Sequence, residues 1–278
     1  MIIDEDMITQ FKTKLSEEEK SKATINKYIR DVKGFARFLK GEEATKMKII
    51  EYKAELMSAY APASVNSIVA SINSFLTFCG HPGLKMKAVR MQKRIFLNTE
   101  KELTKAEYER LLAAAKKKNS RQLYYLMQTI CSTGIRVSEV KYVTVDAVTA
   151  GCMCINSKGK MRVVLLPKKL CRMLKVLIKE RKIKSGSVFV TKNGRPLDRS
   201  NIWHAMKELC GEAHVSAEKV FPHNLRHLFA RTYYSKEKDI VRLADVLGHS
   251  SINTTRIYTM ETGEVHRQQL ENLGLLRC

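Results

Sequence analysis

The hydrophobic period of this chain changes partway along its length, and that change limits the folds open to it. Through residues 1–80 apolar side chains recur only at helical spacing. Ile25, Tyr28, Ile29, Val32, Phe35, Ala36 and Leu39 share one face of a 3.6-residue repeat, with Lys and Arg opposite. A shorter stretch through Ile8, Phe11 and Leu15 reads the same way. Thr45 is placed to cap a helix carrying Ile49, Ile50, Tyr52 and Leu56. Pro62 opens and Gly80 closes another, with Val65, Ile68, Val69, Ile72, Phe75, Leu76 and Cys79 on its apolar side. Residues 1–83 are therefore expected to form an all-helical domain.

His81-Pro82-Gly83 ends that pattern, and residues 84–102 are basic without a period, which marks a linker. Thr104 and Glu107 have capping-box spacing, and Leu103 can staple onto Tyr108, so a second domain spans 103–278. Helices follow over 105–117 and 123–131, the latter stopped by Gly134. At 152–166 the period drops to two: Cys152-Met153-Cys154-Ile155 and Met161-Arg162-Val163-Val164-Leu165-Leu166 flank a polar turn, predicting a β-hairpin. Pro167 then opens a helix, Val188-Phe189-Val190 reads as a short strand, and everything from Ser200 onward is helical. The expected fold class is mainly α with a small antiparallel β-sheet: a helical domain followed by an α+β domain.

The 278 residues suffice for two cores, and no apolar run approaches the ~18 residues of a membrane span. The acidic start, Met1 to Asp6, is unlike a signal peptide, so a cytoplasmic location is expected. Seven cysteines (Cys79, Cys131, Cys152, Cys154, Cys171, Cys210, Cys278) are an odd number without framework spacing, which fits a reducing compartment. Cys152 and Cys154 share a strand face, and His223 and His227 a helix face, but neither pair has the further ligands of a metal site. Net charge is +22 and uneven: residues 1–90 carry 15 basic against 11 acidic side chains, residues 91–278 carry 35 against 17. Such an excess fits a polyanion, nucleic acid ahead of a membrane surface.

Several short motifs carry chemistry only in combination. His223 and Arg226, three apart behind Pro222, share a helical face that could equally belong to an ordinary surface helix. Arg136 and Glu139 have the same spacing: either a plain intrahelical ion pair, or a carboxylate that fixes a guanidinium while its other donors face outward. Lys158 at a hairpin tip is a solvated lysine or a mobile proton donor. His249 follows Gly248 at a helix end. Tyr258 is one of ten tyrosines, but its neighbours Thr254, Thr255 and Arg256 suit a nucleophile near DNA better than a core position. Two arginines to grip a phosphate, histidines beside them and a tyrosine hydroxyl are parts of a metal-free phosphoryl-transfer site.

Thr133-Gly134-Ile135-Arg136-Val137-Ser138-Glu139, Ser157-Lys158-Gly159-Lys160-Met161-Arg162, Pro222-His223-Asn224-Leu225-Arg226-His227, Leu247-Gly248-His249 and Thr254-Thr255-Arg256-Ile257-Tyr258 stand in the order found in tyrosine recombinases. The chain resembles the Xer type of that integrase family, firmly over 104–260, and residues 1–83 look like its SAM-like core-binding domain. The resemblance implies that Tyr258 attacks a scissile phosphodiester to give a 3′-phosphotyrosyl link. Arg136 and Arg226 clamp the phosphate, His249 adds a hydrogen bond, His223 assists proton movement, Lys158 protonates the leaving oxygen and Glu139 orients the site. It also implies no metal, ATP or other cofactor, a clamp on double-stranded DNA with paired half-sites, and a homotetramer closed by exchange of the C-terminal segment. An accessory recombinase or directionality factor is a further partner of such proteins. Two alternatives stay open: a type IB topoisomerase, which swivels strands with the same chemistry, and a DNA-binding regulator that has lost catalysis.

Overall fold

Side-chain caps set where the first helices start. Asp4, Ser21 and Thr45 accept from the backbone N–H groups of Met7, Thr24 and Lys48, opening α1 (Glu5–Glu17), α2 (Lys22–Leu39) and α3 (Lys46–Ala59). Pro62 occupies the first turn of α4 (Pro62–Phe78). The structure is a computed structural model that describes residues 1–91, 99–157, 160–260, 263–273 and 275. It divides into two compact units, Met1–Lys93 and Arg94–Cys278.

In the first unit Phe11, Val32, Phe35, Ile72 and Phe75 are wholly buried, with Phe11 edge-on to Phe75 at 5.3 Å. Ile50, expected on the inner face, is 52% exposed. It sits one position, about 100°, around the helix from buried Ile49. The stretch read as linker begins as a pinned segment. The Asn73 amide exchanges hydrogen bonds with both backbone groups of Met86 (2.9 and 2.8 Å), and Asn66 does the same for Val89 (2.9 and 2.7 Å). Residues 92–98, the middle of that stretch, lie outside the described residues.

The second unit opens on α5 (Lys105–Lys117), whose capping box is closed in both directions between Thr104 and Glu107. Next come α6 (Arg121–Thr133), a 3₁₀ turn (Val137–Tyr142) and α7 (Val145–Ala150). The hairpin β1 (Cys152–Ser157) and β2 (Lys160–Leu165) pairs antiparallel, with Cys152 opposite Leu165 and Ile155 opposite Arg162. After it run α8 (Lys168–Glu180), α9 (Arg199–Lys207), α10 (Cys210–Ala213), α11 (Pro222–Glu237), α12 (Ile240–Leu247), α13 (Ile252–Thr255), a 3₁₀ turn (Arg256–Tyr258) and α14 (Gly263–Glu271). Leu126, Met127 and Ile130 of α6 lie at the centre of the core.

The strand expected at Val188-Phe189-Val190 is absent. Only isolated bridges form there, Thr144 with Ser187 and Val190 with Pro196, so the sheet among the described residues has two strands. Val188 and Phe189 are both wholly buried, without the alternation of a strand with one exposed face, and Pro196 has no N–H to continue a ladder. On the hairpin Met153, Ile155 and Val164 face inward, while Met161, Val163 and Leu165 are 75%, 63% and 76% exposed. Cys154 is exposed on the same outer face, and the six described cysteines are all free; Cys278 lies outside the described residues.

Candidate functional site

Arg226 is the largest fully buried side chain of the chain's described part, 1% exposed. Pro222 starts α11 so that position 226 points inward beside Leu225. There the guanidinium donates to the Gly134 carbonyl at 2.5 Å, to the Leu247 carbonyl at 2.9 Å, and to His249 Nε2 at 2.9 Å. Those two carbonyls belong to helix ends, the glycine cap of α6 and the last turn of α12. A buried arginine thus ties together three segments remote in sequence. Burial, with the charge of Arg136 next, pushes its pKa down to about 10, still far above neutrality.

Arginine has no acceptor, so His249 Nε2 must accept, which places the imidazole proton on Nδ1. That nitrogen lies 2.9 Å from the hydroxyl of Thr255, itself wholly buried. Burial first, then the charges of Arg226, Arg136 and Arg162, hold His249 down at about 4, so it is neutral at pH 7. His223 is also held at about 4, by desolvation and then by His227 and Arg226, although its outer edge is exposed.

Arg136 stands at the head of its 3₁₀ turn. Its backbone N–H and its Nη1 both donate to Glu139, at 2.7 and 2.9 Å, and Nη2 reaches toward the Gly248 carbonyl at 3.4 Å. Burial alone would raise the Glu139 carboxyl. The Arg136 N–H and the charges of Arg162 and Arg136 outweigh it and leave the pKa below its ordinary value. Arg162 of β2 supplies the second cation, donating to Glu139 at 2.7 Å and to the Val246 carbonyl at 2.7 Å. Gly248 has φ +64°, and a Cβ there would meet the Arg162 side chain at 2.5 Å. Glycine is therefore required where α12 ends against this arginine. Arg136, Glu139, Arg162, Gly248, His249 and Ser250 line a cleft of about 730 Å³.

Tyr258 departs from expectation. It is 4% exposed, in an apolar cluster with Ala230, Leu243 and Leu247. Its ring is stacked near His249 (centroids 6.1 Å, 15°) and edge-on to His227 (5.0 Å, 85°), and its hydroxyl faces Arg226. Among the polar neighbours that suggested an open position, Thr254 and Arg256 are exposed, whereas Thr255 is buried against His249. Of the seven residues singled out from sequence, Arg136, Glu139, Arg226, His249 and Tyr258 are brought together, and His223 joins them through His227, with ring centroids 4.4 Å apart. Lys158 lies outside the described residues; the strands on either side of it are in place. Arg162 and Thr255, which lie in the same sequence motifs as Lys158 and Tyr258, join the site through Glu139 and His249.

Cationic side chains around one cleft, with imidazoles and a phenol packed close by, suit a protein that binds a phosphodiester. Comparison with known proteins gives the class. Residues 101–264 match the phage integrase family, and residues 8–81 match the phage integrase N-terminal SAM-like domain. Tyrosine recombinase XerA of Pyrococcus furiosus is 29% identical across 98% of this chain and 95% of its own length. Tyrosine recombinase XerD of Xanthomonas campestris is 30% identical across 97% and 91%. A lambda integrase tetramer bound to a Holliday junction shares the fold, with TM-score 0.72 at 18% identity, covering 91% of this chain and 76% of that one. This chain belongs to the phage integrase family and is a site-specific tyrosine recombinase of the Xer-like kind.

Proposed function

We propose that the chain cuts and rejoins duplex DNA by attack of the Tyr258 hydroxyl on a scissile phosphodiester, leaving a 3′-phosphotyrosyl link and a 5′-hydroxyl. The convergence of Arg226, His249 and Tyr258, from three separate segments, beside the Arg136 cleft supports this most directly. A phenol with a reference pKa of ~10 is a poor nucleophile at neutral pH, so the site must place it in line and stabilise charge on the phosphoryl oxygens. Arg136 and Arg226 take the two non-bridging oxygens, with Glu139 aiming Arg136. His249 gives up its bond with Arg226 and, once Nε2 is protonated beside the phosphate, donates to a phosphoryl oxygen. His223 assists the proton leaving Tyr258, and Lys158 protonates the departing 5′ oxygen. The phosphotyrosyl ester conserves the bond energy, so a second 5′-hydroxyl can reverse the step without ATP, and the arginines supply the positive charge that a metal would otherwise bring.

In this proposal the helical domain (residues 1–83) and the catalytic domain (103–278), joined by the basic linker (84–102), both bind one half-site. Phosphate contacts from the strongly basic second part supply most of the affinity. Four copies assemble on paired half-sites, as the lambda integrase does on its Holliday junction. The work is done in the cytoplasm, at the nucleoid. No described helix is long and apolar enough to cross a membrane. Tyr258→Phe tests the chemistry. On a nicked suicide substrate it should bind but form no covalent adduct, and an adduct with the Phe variant would place the nucleophile elsewhere.

A further inference from the structure

His227 takes no part in the chemistry above, yet its ring lies between two residues that do. Its centroid is 4.4 Å from that of His223 and 5.0 Å from that of Tyr258, edge-to-face with both. Its Nδ1 is 3.3 Å from the Glu102 carboxylate, and both side chains are more than four-fifths buried. Glu102 is held in turn: Arg231 lies 3.3 Å from its other oxygen and donates to the Leu103 carbonyl at 2.7 Å, while Asn224 donates to the Lys101 carbonyl at 2.8 Å. Asn224, His227 and Arg231 follow one face of α11 at helical spacing, so one helix face anchors the segment around Glu102. Burial would raise the Glu102 pKa. The His227 hydrogen bond and the charges of Arg231, His227 and His223 outweigh it and leave the carboxyl below its ordinary value.

The other ring nitrogen, Nε2, is buried and meets no hydrogen-bond partner among the described residues. In the neutral ring that donates its Nδ1–H to Glu102, Nε2 carries the lone pair.

We infer that His227, held in one orientation by Glu102, is a positioning residue for strand cleavage: its ring sets where the Tyr258 phenol and the His223 imidazole stand. This rests on Tyr258 being the nucleophile. Because positioning acts on the bonded state, it should appear in the rate at saturating DNA and not in affinity.

The test compares Glu102→Ala, Glu102→Gln, His227→Phe, His227→Asn and the double variant Glu102→Ala/His227→Phe in the full chain. Three quantities are measured for each: half-site affinity by gel shift, thermal melting, and the single-turnover rate of adduct formation on a nicked suicide substrate. His227→Phe keeps the ring and should bind within twofold, but it should cleave about tenfold or more slowly, the scale of a misplaced reacting group. His227→Asn keeps only the donor toward Glu102 and should be slow as well. Glu102→Gln, which still accepts, should recover much of what Glu102→Ala loses. The double variant should be no slower than the worse single, because the pair acts as a unit. His227→Phe cleaving at the parental rate would overturn the inference. So would losses in affinity or melting that parallel the rate, which would make the pair a structural prop. Failure of the underlying chemistry reads differently, as an adduct formed by Tyr258→Phe.

Discussion

At the scale of single residues, the site is held by buried charges that satisfy one another. Arg162 has the sharpest test. Arg162→Met leaves Glu139 buried with one cation fewer, which should cost about 1–3 kcal/mol in urea unfolding. Adding Glu139→Gln should recover part of that loss, while adduct formation stays slow because Arg136 is no longer aimed. Full recovery of cleavage in the double variant would show that Glu139 does not orient Arg136. The histidines give a pH signature. His223 and His249 are held at about 4 against an ordinary 6.5, so between those values the unfolded chain binds protons that the folded chain refuses. Stability should therefore fall as pH drops from 6.5 toward 4, and His249→Gln should flatten that slope in thermal melts. A phosphate in the cleft favours the charged imidazoles, so half-site binding should take up protons below pH 6.5, seen calorimetrically as a buffer-dependent binding enthalpy. Arg162 was legible in principle: strand alternation puts it on the same face as buried Val164, and an inward arginine needs a buried partner. Glu102 was not, because it sits in an aperiodic stretch and its partners arrive from α11, over a hundred residues later. Burial of Tyr258 was hidden for the same reason, its cage being built from α11 and α12.

Among elements, the helices of the first unit and the hairpin could be read closely, because caps and apolar period are local signals. The supposed strand at 188–190 failed where local signals run out, since three apolar residues fit a buried loop as well as a strand. The hairpin matters most for chemistry. Its inward Arg162 is fastened to Glu139 and to α12, so the strands leading to Lys158 are fixed to the cleft. If Lys158 is the general acid, Lys158→Ala should slow cleavage of an ordinary substrate by about 10²–10⁴-fold. A 5′-bridging phosphorothiolate, whose thiolate leaves without a proton, should restore much of the rate. Equal defects on the two substrates would remove that role.

For the whole molecule, the two-part plan was legible from the change of period and of charge, whereas assembly depends on a segment that sequence alone leaves ambiguous. Helix α14 carries Val265 and Leu270 at 38% and 68% exposure, and Leu273 and Leu275 beyond it are 60% and 82% exposed. A short helix with such an edge gains little by itself. In the proposed tetramer it passes to a neighbour, a head-to-tail contact that closes a ring. Truncation after Gly263 should leave half-site binding within about twofold, abolish cooperative filling of a full site and stop strand exchange. Unchanged cooperativity in gel-shift titrations would mean that the segment packs only in cis.

The cage around Tyr258 has a consequence beyond recombination. A phenol with 4% of its surface in contact with solvent, shut between two imidazoles and an aliphatic floor, is withheld from nitrating and iodinating oxidants that reach a tyrosine such as Tyr60, 54% exposed. On the role proposed for Tyr258 the nucleophile shares that shelter, so covalent adduct formation should survive an oxidative exposure that marks the surface tyrosines.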